Sequence, residues 1–259
     1  MKAQGAWGYL FEEYVNRIMG ALHPQTRSRS LVGNFAQSPR YTTREEAFDG
    51  ILISPTNPRH VFVFQYKSQF LRPEVKYTDD VEAFERALDR KGSFGVGKKG
   101  GVRQLVDNIS LLWSKNKAER KILIPPLGVM DGYEKVTPVL VVLELFFRAD
   151  FLNWTLNNRL QDLLAGANVS DGVAVEPLMV IDIESLEILK PYVQAGLCTI
   201  SQAINSLNEY DRERLAAFRR HVAVYLKQFS PMNDSEVEER FEKNMERSRK
   251  LIKDEQVVP

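Results

Sequence analysis

The stretch Phe48-Asp49-Gly50-Ile51-Leu52-Ile53, followed after a polar segment by Val61-Phe62-Val63-Phe64-Gln65-Tyr66-Lys67-Ser68, decides how this 259-residue chain is read. Both runs are rich in β-branched and aromatic residues. The Pro55-Thr56-Asn57-Pro58-Arg59 segment between them is a turn signal, so residues 48–54 and 60–68 are predicted to pair as an antiparallel hairpin. A strand alternates its faces, which puts Gln65 and Lys67 on one side and Phe62, Phe64 and Tyr66 on the other.

On the N-terminal side of the hairpin, Phe11, Val15, Ile18, Met19 and Leu22 recur at helical spacing and predict an amphipathic helix over residues 7–22. Residues 23–44 are polar and basic, with Pro24 and Pro39 breaking regular structure, and read as mostly loop. On the C-terminal side come a short charged helix over 79–90, a glycine-rich loop over 91–101, and a helix over 102–115 with Leu105, Ile109 and Leu112 on one face. Residues 136–146 form the most hydrophobic run and suit a strand buried on both faces. A helix over 151–164 ending at Gly166, a strand over 175–182 and a helix over 183–189 before Pro191 complete the series. This order predicts an α/β fold, a central mixed sheet flanked by helices.

Beyond Pro191 the pattern is helical. Leu215, Phe218, Val222, Tyr225 and Phe229 form an apolar stripe that predicts a helix over 211–229, broken by Ser230-Pro231. A second, highly charged helix over 235–253 carries the thinner stripe Val237, Phe241, Met245 and Ile252. The chain is therefore divided into an α/β domain, residues 1–190, and a helical C-terminal extension, residues 191–259, expected to act as a cap or oligomerisation element.

Apolar residues make up 44% of the chain and charged residues 27%, which excludes a wholly disordered or collagen-like protein. The single cysteine, Cys198, cannot close an internal disulfide and reads as a buried, inert thiol. His23, His60 and His221 are too scattered for a zinc motif. The opening residues lack the apolar core of a signal peptide, and the longest apolar stretch, Val139 to Phe147, carries Glu144 and is too short to span a bilayer. A cytoplasmic protein without a membrane partner is expected.

If the two hairpin strands pair through their turn, Asp49 at the start of the first lies near Lys67 at the end of the second. A carboxylate, an amide and an ammonium then converge, a set suited to metal-assisted hydrolysis of a phosphodiester. Magnesium prefers oxygen ligands and keeps several waters, so one or two carboxylates suffice. Asp49 would supply a carboxylate and Gln65 a neutral carbonyl oxygen, while Lys67 would orient or deprotonate the attacking water or offset charge at phosphorus. Glu12 on the first helix is the candidate for a second carboxylate, whereas Glu13 faces elsewhere.

Gly8-x-x-Phe11-Glu12 on a first helix, Asp49-Gly50 on the next strand and Gln65-x-Lys67 ending the following one resemble the PD-(D/E)XK nuclease superfamily, the restriction-endonuclease-like fold. The variant with glutamine in place of a carboxylate is similar to Mrr-type enzymes. The resemblance covers residues 8–189, with its specific residues in the first third. It implies Asp49, Gln65 and Lys67 as a catalytic triplet, Glu12 as an accessory ligand, magnesium or manganese as cofactor, and a genome-defence setting. Two positions depart from the pattern: Phe48 stands where the superfamily often has proline, and Gln65 removes a negative charge from the metal shell.

The formal charge is +1, from 35 basic and 34 acidic residues, but it is unevenly spread. Residues 91–121 hold eight basic side chains against two acidic ones, and residues 23–44 add Arg27, Arg29, Arg40 and Arg44 with no acidic residue. Lys98, Lys99 and Arg103 are the candidate nucleic-acid contacts, and Gln104 on the following helix is a candidate support for the site. Gly92 to Lys98 matches most of a phosphate-binding P-loop but has Lys99 where a hydroxyl is needed and a helix where a strand should precede it. Residues 234–255 carry eight acidic and six basic side chains and suit a protein partner better than nucleic acid. The expected function is a magnesium-dependent DNA endonuclease, with a homo-oligomer favoured for cutting both strands. The alternative is a nuclease-like subunit that binds nucleic acid or partners without cutting.

Overall fold

A computed structural model describes residues 3–22, 31–33, 49–54, 56–77, 79–90, 93–113, 133–143, 146, 150–167, 169, 172–210 and 218–229. The hairpin is present as β2 (Gly50–Ile53) and β3 (His60–Lys67), antiparallel, with Ile51 opposite Val63 and Leu52 opposite Phe62. A further strand, β1 (Leu31–Gly33), adds antiparallel to β2. It lies in the segment read from sequence as mostly loop. Three residues in a basic, polar context carry no period of their own, and pairing along the edge of β2 makes them a strand.

Parallel to β3 runs β4 (Lys135–Val142), with Phe64 opposite Val139 and Lys67 opposite Val142. The next strand is interrupted. β5 (Ala174–Val175) pairs with the start of β4 and β6 (Met179–Asp182) with its end. Three steps on β4, Val136 to Val139, face four on its neighbour, Val175 to Met179, which is one extra residue and hence a bulge. Two details follow from it. Thr137 and Pro138 have no partner on that side, so a proline with no N–H to donate is tolerated in a central strand. Leu178 N–H, released from the ladder, donates to Asn157 Oδ1 at 2.8 Å.

Helices cover both faces. On one side lie α2 (Pro73–Lys76), α3 (Val81–Leu88), α4 (Gly101–Leu112) and α5 (Asp150–Ala165), in the crossovers from β3 to β4 and from β4 to β5. Two successive crossovers of the same hand place their helices on the same face. Val61, Val63, Val102, Leu105, Ile109, Leu140, Leu156 and Leu160 form the core there. The opposite face is covered by α1 (Ala3–Leu22), α6 (Ile183–Gln194), α7 (Ile200–Tyr210) and α8 (Phe218–Lys227). Its core joins Phe11, Val15 and Met19 to Phe62, Phe64, Val139, Ile181, Leu186, Ile204, Phe218 and Val222. The molecule is thus a mixed α/β sheet between helical layers, with α7 and α8 packed on the same face as α1.

Pro191 does not end α6, which continues to Gln194. The ring removes one hydrogen bond near the helix end. Leu189 and Val193, both buried in the core, hold the last turn down, and Ala195 N–H closes on the Pro191 carbonyl at 3.0 Å. The helix expected over 211–229 is observed as α8, and its first residues, like the helix expected over 235–253, lie outside the described residues. Among the described residues no helix is long and apolar enough to cross a membrane.

Candidate active site

Alternation along β3 decides the site. Val61 and Val63 pack toward α4, and Gln65 and Lys67 continue that face, whereas Phe62, Phe64 and Tyr66 enter the α1 core. Asp49 immediately precedes β2, its N–H donates to the Phe64 carbonyl at 3.2 Å, and it shares the α4 face with Ile51. The carboxylate and the end of β3 therefore meet without any distortion of the ladder.

Asp49 Oδ2 accepts two hydrogen bonds, one from the Tyr66 N–H at 2.6 Å and one from the Gln65 side-chain amide. Gly50 makes this possible. A Cβ there would stand 3.0 Å from the Tyr66 hydroxyl, so the small residue leaves room for the ring that fills the opposite face. Gln65 is 4% exposed, and its Oε1 has no hydrogen-bond partner among the described residues. A buried, unpaired amide oxygen beside a carboxylate is costly unless something beyond the described residues binds it.

Lys67 Nζ donates to the Lys99 carbonyl at 3.2 Å and to Gln104 Oε1. Two of its three donors are thereby committed, which holds the ammonium in one orientation. Its stem lies along the start of α4, where a Cβ on Gly101 would approach Lys67 Cγ to 3.3 Å. Burial pushes the Lys67 pKa down, the charges of Asp49 and Glu12 push it back up, and that of Lys99 lowers it. Glu12 thus acts on the same ammonium from α1. The Tyr66 phenol is raised chiefly by burial, with contributions from Asp49 and Glu12.

The loop before α4 is built by backbone packing on backbone. The N–H groups of Gly100, Gly101, Val102 and Arg103 donate to the carbonyls of Gly97, Ser93, Phe94 and Gly95 at 2.7, 2.9, 2.9 and 3.3 Å. All four donors that a helix start leaves open are therefore satisfied within the chain. A Cβ on Gly97 would lie 1.8 Å from the Asp89 carbonyl oxygen, so glycine here serves that close approach. Asp89 pins the loop: its Oδ1 accepts from Val96 N–H at 2.9 Å and from Arg159 Nη1 at 2.8 Å. Lys99, with φ 61°, occupies the left-handed region, which turns its carbonyl toward Lys67.

At the end of β3 Asp49 is joined to Gln65 and Lys67 to Gln104, Glu12 acts on Lys67 through its charge, and Lys99 adds a contact through its carbonyl. That contact has no signature in the residue type. The same holds for the Tyr66 N–H on Asp49, since any residue there supplies an amide. Lys98 and the Lys99 side chain are exposed, whereas Arg103 is half-buried and its Nε reaches the Val96 carbonyl at 3.5 Å. The other basic candidates, Lys91, Lys115, Lys117, Arg120, Lys121, Arg27, Arg29, Arg40 and Arg44, lie outside the described residues.

Among the described residues no three or more His, Cys, Asp or Glu side chains are grouped to hold a metal ion. The donors here are of mixed type, with Asp49 and Glu12 as carboxylates and the unpaired Gln65 Oε1 as a neutral oxygen. Such an oxygen set fits a hard divalent cation that retains waters, and does not fit zinc. No family model, no curated protein and no solved structure matches the chain.

Proposed function

We propose that this chain is a metal-dependent endonuclease that hydrolyses phosphodiester bonds of DNA, as its likeness to the PD-(D/E)XK pattern implies. The observation that carries the reading is the buried Gln65 Oε1 without a partner among the described residues, held beside Asp49 and two residues from an ammonium whose pKa is lowered. The order of helix, three-stranded antiparallel meander and parallel fourth strand is compatible with it.

Asp49, Gln65 and Glu12 would hold magnesium or manganese, which when bound supplies Lewis-acid chemistry to the phosphate and a more acidic water. The chain's own groups do the rest. Tyr66 N–H and the Gln65 amide fix the Asp49 carboxylate, and the Lys99 carbonyl and Gln104 aim Lys67 Nζ. A lysine whose pKa is lowered can accept the proton of the attacking water or, when charged, offset negative charge developing on phosphate. Lys98 and Lys99 give the exposed positive charge for the neighbouring phosphates.

Supercoiled plasmid incubated with magnesium or manganese should be nicked or linearised by the wild type and left intact by Lys67→Ala and Asp49→Ala. Equal cutting by those variants would overturn the assignment. The neutral Gln65 leaves two carboxylates at the site among the described residues, which favours as second reading a subunit that binds DNA without cutting it. Manganese titration separates the two: the nuclease binds the ion through Asp49, and the binding subunit holds DNA with no metal requirement.

A further inference from the structure

Tyr9 and Phe70 are large aromatic side chains left in water, 62% and 57% exposed. Both are carried by segments that adjoin the end of β3. Gly8 stands against the end of β3, where a Cβ on it would be 3.8 Å from Ser68 Oγ, and Ser68 directly follows Lys67. Tyr9 adjoins Gly8 and lies three residues from Glu12, on the same helix flank. Phe70 lies two residues beyond Ser68. Its neighbour Leu71 is buried in the α4-side core, which anchors the segment and leaves Phe70 outside at little further entropic cost.

The opposite rim has a different character. It is formed by the loop before α4, where Lys98 and Lys99 are exposed and the Lys99 carbonyl touches Lys67. The α1 side carries Glu12 and Glu13 against one cation, the exposed Arg72 of segment 68–73, and Glu13 lies one turn beyond Tyr9. Phosphates are thus favoured on the lysine side and not on the α1 side. A site between an aromatic rim and a cationic rim matches the chemistry of a single strand, whose bases present their faces to aromatic rings while its backbone follows the positive side. In an intact duplex those faces are stacked inside and unavailable.

We infer that this site takes single-stranded or locally unpaired DNA, with bases stacked on Tyr9 and Phe70 and phosphates directed to Lys98 and Lys99. The inference rests on the nuclease reading for the chemistry but not for the binding, and the two are tested separately. Fluorescence anisotropy of a labelled oligonucleotide with the full chain, without divalent metal, reads binding alone. The single strand should bind at least about 10-fold more tightly than the same sequence annealed to its complement. Tyr9→Ala and Phe70→Ala should each weaken single-strand binding by about 10-fold with little change for duplex, and Phe70→Trp should restore it. Because both residues are exposed, these variants should keep the wild-type circular dichroism spectrum.

Equal affinity for duplex, or single-strand affinity untouched by the alanine variants, would overturn the inference. A cleavage assay on the same oligonucleotides with magnesium forms the second arm. Single-strand binding that depends on both rings, with no cleavage of either form, would support the binding surface and overturn the nuclease. Efficient cutting of duplex with no dependence on Tyr9 or Phe70 would do the reverse.

Discussion

Lys67 illustrates how much at this site depends on what surrounds one side chain. An ammonium at the end of a strand is ordinarily a solvated charge, and here burial pushes its pKa down while its orientation is set by Gln104 and the Lys99 carbonyl. On the proposed nuclease reading, Gln104 would act through Lys67 as a positioning residue. Gln104→Leu should lower kcat by about 10-fold with KM nearly unchanged, and should displace the pH–rate profile, because an acceptor of the ammonium is lost. Steady-state kinetics across pH would show both effects, whereas a purely structural role would leave the profile in place. Gly50 is a test of packing. Gly50→Ala places a Cβ 3.0 Å from the Tyr66 hydroxyl and should cost about 1–3 kcal/mol in urea denaturation, with Asp49 losing its geometry as Tyr66 moves.

At the scale of elements, the bulge between β5 and β6 and the loop before α4 show contrasting ways to satisfy backbone groups outside regular ladders. The bulge relies on one side chain. Asn157→Leu leaves the Leu178 N–H buried without its acceptor and should cost about 1–3 kcal/mol, read as a lower urea midpoint at unchanged m-value. The loop relies on Asp89, which joins Val96 N–H to Arg159. Asp89→Ala should loosen the loop, displace the Lys99 carbonyl from Lys67 and, for the proposed nuclease, reduce kcat. The sequence carries the elements of strong pattern: β3, α1 and α5 lie where they are predicted, whereas the strand predicted over 136–146 ends at Val142 as β4. β1, the bulge and the run of α6 through Pro191 were not legible, because each depends on a neighbour supplied by tertiary packing.

Across the whole molecule, helices cover both faces of the sheet, and groups enclosed in it couple stability to pH. His60 is buried with its Nε2 2.8 Å from Thr137 Oγ1, and burial together with the Lys135 charge pushes its pKa from 6.5 down to about 4, against an opposing pull from Glu176. The unfolded chain takes up a proton near 6.5 that the folded chain refuses until about 4. The stability is full above pH 6.5 and is lost as pH falls toward 4, by about 3 kcal/mol. Urea midpoints over this range should decline less steeply for His60→Gln than for the wild type.

Order along the chain and the chemistry of side chains are local properties, and the sequence by itself determined them: the hairpin, the two faces of β3, the α/β class and the meeting of Asp49, Gln65 and Lys67. Period and turn residues are written in consecutive positions and need no distant partner to be read. Only the tertiary structure decided that Gln65 Oε1 is buried and has no partner among the described residues, that the Lys99 carbonyl and Gln104 hold Lys67, and that Tyr9 and Phe70 are left exposed. These depend on backbone groups and on burial, which residue types do not encode until distant segments pack.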